Sequence, residues 1–274
     1  MLNFTFSASI VLYKNNPVEL MKAINSFYNQ GYTFTLYLID NSPLNDLQWI
    51  ESHNSNIIYI HNPSNPGFGV AQNIAIKEAL SCGSNYHFIV NPDIYFTHDV
   101  VTKMITYMHE NTDVGMMMPS VLNEDGTVQN LPKLLPSPLS ILLRKLKKPE
   151  MIYNRFIEKY ELRFVHKDVT YNSPILSGCF TLLNLTAIKE IGMYDDRYFM
   201  YFEDWDLSRR MHQKYKTIYF PEVSVYHGYD SGANKSSRLF MVFVKSAFAY
   251  FNKWGWFFDI ERKDINRETL NQFI

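Results

Sequence analysis

Across the first 120 residues, short apolar runs alternate with amphipathic stretches, and this alternation leaves the chain few architectures to choose from. Residues 4–13, 34–39, 57–60, 86–90 and 114–118 read as strands. Helices are expected between them. Pro17 at a first helical position opens one, with Leu20, Ile24 and Phe27 on one face and Gly31 closing it. A short helix is expected near Leu47 and Ile50, another carrying Ala71, Ile74, Ala75 and Ala79, and a third over residues 100–108. Strands separated by helices predict an α/β fold around a mostly parallel sheet with right-handed crossovers. In such sheets ligands gather at the carboxyl ends of the strands. Lys14-Asn15, Asp40-Asn41 and Asn91-Pro-Asp93 all follow strands directly, so residues 1–120 read as a nucleotide-binding half.

The pattern breaks at residues 131–168, which hold Pro132, Pro136, Pro138, Pro149 and the run Leu142-Leu-Arg-Lys-Leu-Lys-Lys148. A solvated surface connection is expected there. The other reading is a basic amphipathic segment resting on anionic lipid. Residues 173–185 then read as a strand with Gly178 allowing close backbone approach, 186–191 and 203–213 as helices, and 217–226 as extended chain ending in His227. A long apolar helix over 238–254 leads to Trp256-Phe-Phe258, whose aromatic rings also suit a membrane interface. Residues 121–237 are thus expected to form a second half of the same domain, and 238–274 a C-terminal helical segment.

Charge and cysteine content exclude several classes. Twenty-six basic against 27 acidic residues give no nucleic-acid footprint. Cys82 and Cys179 have no C-x-x-C neighbour, which argues against zinc ribbons and disulfide frameworks and fits a reducing cytoplasm. The opening Met1-Leu-Asn-Phe-Thr-Phe6 lacks the basic and apolar regions of a secretory signal. Asn65-Pro-Gly-Phe-Gly69 lacks the G-x-G-x-x-G spacing of a dinucleotide fingerprint and follows the third strand rather than the first. No P-loop pattern occurs.

Two acidic clusters carry the chemistry. Phe199-Met-Tyr-Phe-Glu-Asp-Trp-Asp-Leu-Ser-Arg-Arg210 packs Glu203, Asp204 and Asp206 among aromatic side chains at a helix start. Acids suit a helix N-terminus electrostatically. Charges among aromatics are nevertheless costly unless paired or bound to metal. About a hundred residues upstream, Ile89-Val-Asn-Pro-Asp93 puts one carboxylate at the end of an apolar strand. The two clusters together suit a metal-assisted displacement on a phosphorylated substrate.

In this order, Ile39-Asp-Asn-Ser42, Asn65-Pro-Gly-Phe-Gly-Val-Ala-Gln-Asn73, Asn91-Pro-Asp93, Leu176-Ser-Gly-Cys-Phe180, Glu203-Asp-Trp-Asp206 and Val225-Tyr-His227 resemble the family 2 glycosyltransferases of the GT-A fold, and most their rhamnosyltransferase-like branch. The resemblance covers about residues 6–250. It implies that Asp40 reads the pyrimidine ring of a nucleotide, although an Asp-Asn pair also makes an ordinary turn. It places Asn65, Gly67 and Asn73 beneath the nucleotide, with Asn91 as a neutral contributor. Asp93 and His227 are implied as ligands of Mg2+ or Mn2+, Asp204 as catalytic base with Glu203 beside it. Gly178, Asp206 and Arg210 fall on the acceptor side, Asp206 with the alternative of pairing to Arg209 or Arg210. The implied reaction is inverting transfer from a nucleotide sugar, dTDP-L-rhamnose first and UDP-hexose second, to a glycan or lipid-linked acceptor, in the cytoplasm or at the inner face of the cell membrane. A catalytically silent scaffold binding nucleotide or glycan is the reading from a different class.

Overall fold

The computed structural model describes residues 4–228 and 237–274. Strands β1 (Phe6–Leu12), β2 (Thr35–Asp40), β3 (Ile57–His61) and β4 (Tyr86–Val90) lie side by side in the order β3-β2-β1-β4, all parallel. Helix α1 (Pro17–Tyr28) makes the first crossover and α2 (Phe68–Ser81) the third, while a 3₁₀ turn at Gln48–His53 replaces the second expected helix. Strand order therefore reverses between β1 and β4, and in open sheets the crevice outside the carboxyl ends at such a point is where ligands bind. Apolar side chains of β1, β2 and β4 are almost wholly removed from water, as expected of strands covered on both faces.

Beyond β4 the sheet stops being parallel. After β5 (Ile94–Tyr95), α3 (Val101–Glu110) and β6 (Val114–Leu122), the chain enters the segment expected to be a surface connection. It instead forms helices α4 (Pro138–Leu146) and α5 (Glu150–Tyr160), with Leu134 and Leu135 buried beneath them. The local signals were present: Pro138 takes the first turn of α4, and Ser137 caps it in a reciprocal exchange with Ser140. The strand expected over 173–185 is confined to β8 (Phe180–Asn184), with a two-residue strand β7 (Tyr171–Asn172) just before that span. Strand β8 runs antiparallel between β4 and β6, so residues 177–179 arrive beside the carboxyl end of β4. Helices α6 (Leu185–Ile191) and α7 (Glu203–His212) follow, then β9 (Lys216–His227), which runs parallel to β6 and ends against β5.

Helices α8 (Ser237–Trp254) and α9 (Ile260–Asn271) close the chain over a small core of their own. Tyr198, Phe202 and Trp205 meet Tyr250 and Phe251 there. Arg209 of α7 is wholly buried and forks onto Asp259 at 2.8 and 2.9 Å, with Glu261 at 2.8 Å. This bidentate pair fixes the start of α9 to the helix that carries the acidic cluster.

Candidate active site

A cavity of about 330 Å³ opens at the carboxyl ends of β1 and β2, lined by Val11, Asn41, Asn65, Gly67, Pro92 and Phe199 and roofed by the first turns of α8. Three larger clefts, about 820, 660 and 510 Å³, lie against α1, among α4, α5 and α9, and beside α2, the last lined by Asn73 and Arg210. Neither Asp93 nor the acids of α7 line any of these clefts, but Pro92 and Phe199, which stand beside the two acidic clusters in the chain, line the 330 Å³ cavity.

The floor of the cavity is set by close backbone contacts. Gly67 has φ +106°, and a Cβ there would stand 2.2 Å from the Phe199 carbonyl oxygen. Phe68 N–H donates to the same oxygen at 2.9 Å. Only glycine tolerates both the conformation and the approach. Asn65 sits in the left-handed region at φ +44°, which asparagine accepts more readily than most residues. Asn73 lies elsewhere. Its carboxamide exchanges both hydrogen bonds with the Tyr194 backbone, at 2.8 and 2.9 Å, so it braces the loop before α7 rather than facing the cavity. Asp40, almost fully buried, accepts from Ser42 N–H at 2.8 Å and from the Tyr59 hydroxyl. Each carboxylate oxygen keeps a second lone pair, but it is the neighbouring Asn41 and not Asp40 that lines the cavity.

Asp93 and His227 meet at the end of the sheet. His227 Nδ1 lies 3.1 Å from Gln129 Oε1, and donation to that amide oxygen leaves Nε2 with its lone pair. Nε2 is 3.4 Å from Asp93 Oδ1 and 3.5 Å from Asn91 Nδ2. Two acceptor atoms facing each other, one of them on a half-buried carboxylate, suit a cation between them. With a cation there, Gln129 would take the orienting part that amides and carboxylates play behind metal-bound imidazoles. No cluster of three or more His, Cys, Asp or Glu exists among the described residues. Such a cation would therefore draw its remaining oxygen ligands from substrate phosphates, as Mg2+ commonly does.

The three acids of the second cluster have three different fates. Tyr201 and Phe202 both adopt left-handed φ, +69° and +67°, costing on the order of 1–3 kcal/mol each, and this kink starts α7 directly at Glu203. Asp204 accepts from Gly178 N–H at 3.2 Å and from its neighbour Trp205 N–H at 2.9 Å. Desolvation pushes its carboxyl above the usual range, against the pull of those N–H donors and of Lys133. Glu203 is buried, and its Oε2 has no hydrogen-bond partner among the described residues. Desolvation first and the Asp204 charge second hold its pKa well above normal.

For Asp206 the structure corrects the acceptor-side role and shows the alternative, pairing with Arg210. It is fully buried and bonds Arg210 Nε at 2.8 Å, Lys253 Nζ at 2.7 Å and Trp254 Nε1 at 2.8 Å, an anchor between α7 and α8. Arg210 is corrected likewise. Its guanidinium also donates to the carbonyls of Ile191, Gly192 and Met193, closing the end of α6. Gly178 faces Asp204 rather than open space: an added Cβ would lie 3.3 Å from the Asp204 Cβ.

Ser177-Gly178-Cys179 separates the two clusters. Asn91 N–H donates to the Cys179 carbonyl at 2.7 Å on one side, and Gly178 holds Asp204 on the other. The Cys179 thiol, pushed up to about 12 by burial, also feels both Asp93 and Asp204.

Lys133 was missed by the sequence reading. It is 7% exposed, stands 5.4 Å from the centre of the Trp205 ring, and is pulled down to about 8, first by burial and then by Arg144. Asp204 and Glu161 oppose that shift, which places this lysine within electrostatic reach of the acid on α7.

A family model described as glycosyl transferase family 2 matches residues 9–192. The chain belongs to that family. The N-acetylglucosaminyl-diphospho-decaprenol L-rhamnosyltransferase of Mycobacterium tuberculosis strain H37Rv is 24% identical over 247 residues, 85% of this chain and 75% of that protein. Rhamnosyltransferase WbbL of Escherichia coli K12 is 26% identical over 201 residues, 67% of this chain and 69% of that one. Among solved structures, GalNAc-T7 with UDP, GalNAc and Mn2+ superposes with a TM-score of 0.63 at 17% identity over 90% of this chain. The chain spans 48% of that structure's length, and the likeness shows the GT-A fold.

Proposed function

We propose that this family 2 glycosyltransferase moves a sugar, L-rhamnose from dTDP-rhamnose as first choice, onto a glycan or lipid-linked acceptor with inversion at the anomeric carbon. The observation that carries the reading is the held carboxylate of Asp204, aimed by two backbone N–H groups and separated from Asp93 by one short turn. The rhamnosyltransferase relatives support the choice of sugar.

In this reading Asp40, fixed by Ser42 and Tyr59, accepts from the pyrimidine ring N–H, while Asn65 and Gly67 form the floor under the nucleotide. Asp93 and His227, the latter oriented by Gln129, would hold a divalent ion against the donor diphosphate. When bound, that ion neutralises charge developing on the departing nucleoside diphosphate. Mn2+ in the GalNAc-T7 structure supports a divalent requirement. Asp204 takes the proton of the acceptor hydroxyl as its oxygen bonds to the anomeric carbon. The bond from that carbon to the diphosphate oxygen breaks on the opposite face, and its electron pair leaves with the diphosphate. Desolvation strengthens Asp204 as a base, and the two N–H donors and Lys133 oppose that shift by favouring the charged form.

The test is nucleoside diphosphate release from a panel of nucleotide sugars, with Mg2+, with Mn2+ and with excess chelator. Release from dTDP-rhamnose, lost in chelator, is the expected result. Preference for a UDP-hexose would reassign the donor. Binding of donors without release, whatever the acceptor supplied, would leave the silent scaffold.

A further inference from the structure

Helix α4 arises from a sequence with leucines at helical spacing and bases between them. Leu139, Leu142 and Leu146 fall within one narrow arc of the helix, and all three are exposed. Ile141, on a different face, packs against the small core under α8. The exposed stripe is thus left over after α4 has docked. Lys145, Lys147 and Lys148 flank it or follow it directly, while Arg144 lies on the opposite side of the helix, 3.5 Å from the buried Glu161.

Helix α8 continues the same surface. Its inner face is committed: Leu239 and Val242 roof the cavity, Ser246 donates to the Met200 carbonyl at 2.8 Å, and Tyr250 is fully buried. Its outer face carries Phe240, Met241 and Phe248, all exposed. The Lys145 ammonium stands 4.7 Å above the Phe240 ring and so joins the two helices along this face. Phe248 meets Trp256 at 5.0 Å between ring centres, and the chain then presents Phe257 and Phe258, 75% and 97% exposed. Monomeric soluble proteins rarely leave aromatic and leucine side chains contiguous in this way.

We propose that the outer faces of α4 and α8, with the Phe257–Phe258 tip, dock on an anionic lipid bilayer. Charge chooses this occupant. The bases lie at the border of the apolar stripe, where leucine and phenylalanine enter the acyl boundary while lysine reaches back to lipid phosphates. No described helix is long and apolar enough to cross a membrane, so the contact is interfacial. Because α8 roofs the donor cavity with its other face, docking sets the mouth of that cavity at the membrane surface. Under the transferase reading, an acceptor on a lipid carrier would then meet the site without leaving the bilayer. The docking itself does not depend on that reading.

Flotation of the full chain on a density gradient tests this, using neutral phosphatidylcholine vesicles and vesicles containing about one third phosphatidylglycerol. The wild type should float with the anionic vesicles at low salt, less so at high salt, and weakly or not at all with the neutral ones. Two double variants, Phe257→Ser with Phe258→Ser and Leu142→Ser with Leu146→Ser, should each lose most of this binding. Lys147→Glu with Lys148→Glu should weaken it by at least ~tenfold at low salt. All six positions are exposed, and unchanged thermal melts would show the variants folded. A wild type that stays at the bottom with anionic vesicles at low salt overturns the proposal, as do variants that float undiminished. Equal flotation on neutral vesicles overturns the anionic assignment. Concentration-dependent dimers without flotation, abolished by the same variants, would give the face to a second copy of the chain. No sugar donor enters this assay, so its failure is separate from failure of the transferase reading.

Discussion

The carboxylate that ends β4 and the carboxylates that open α7 stand on opposite sides of one three-residue turn, yet water treats them differently. Asp93 is 27% exposed beside His227, which is 6% exposed. Asp204 and Glu203 are pressed among aromatic side chains, and desolvation raises both carboxyls. A wet, incomplete set of ligands suits a cation brought in with substrate phosphates. A dry carboxylate aimed by backbone N–H groups suits proton removal. The 177–179 turn, delivered by an antiparallel strand inserted beside β4, keeps these two environments apart.

Breaking the dry side should have the largest effect. Asp204→Asn keeps the shape and leaves an acceptor oxygen for the Gly178 N–H, but it removes the basic group. Transfer should fall by roughly a hundred- to ten-thousand-fold, in kcat rather than in donor affinity. Donor titration beside steady-state kinetics separates the two, and a variant with near-normal kcat would remove Asp204 from this role. On the wet side, Asp93→Ala should cost on the order of a hundredfold in metal-dependent donor turnover while leaving the thermal melt nearly unchanged, because the Asp93 side chain is 27% exposed. Wild-type turnover by this variant in limiting Mn2+ would sever Asp93 from the metal.

Both acids were legible in the sequence because each follows a pattern carried by its neighbours, an apolar strand in one case and an aromatic-acidic helix start in the other. What was not legible depends on partners far along the chain. Asn73 and Gly67 read locally as a nucleotide loop, yet their contacts are with Tyr194 and Phe199, more than 120 residues away. Asp206 lies two residues past Asp204, about 200° around the helix, and residue type does not say which of the two faces a cavity. Lys133 sits in a proline-rich stretch with no periodicity. Its burial exists only because residue 133 pairs with Ile175 and the helices of 138–160 fold over it.

Lys133 makes the contrast adjustable. Its charge holds the Asp204 carboxyl down, so Lys133→Met should raise it further and move the acid limb of the pH–rate profile upward. Lys133→Arg should restore the limb if charge is what matters. Stability carries a second mark. The folded lysine titrates near 8, against an ordinary value of 10.5, so between those values the unfolded chain holds a proton that the folded chain has released. Wild-type stability should therefore gain from this group as pH rises from about 8 to 10.5, and the methionine variant should lack that gain. An unmoved pH–rate limb in Lys133→Met would make the lysine a packing residue only.

The finest separation is between adjacent acids. Glu203→Gln should change kcat only a few-fold, because the Asp204 carboxylate and its two N–H donors remain in place. Its mark is on stability. With Glu203 raised in the folded state, the folded chain binds more protons than the unfolded one, so the wild type loses stability as pH rises above the ordinary glutamate value of 4.5. Glutamine has no charge to desolvate, so the variant should lack that decline. It should be about as stable as the wild type at acid pH, where its own unpaired amide has a cost, and more stable at neutral pH. Chemical denaturation at a series of pH values reads this directly, and parallel curves for the two proteins would mean that Glu203 ionises freely in the folded state. If Glu203→Gln were instead the inactive variant while Asp204→Asn turned over normally, the base would be the preceding residue. The backbone N–H groups on Asp204 would then serve only to start the helix.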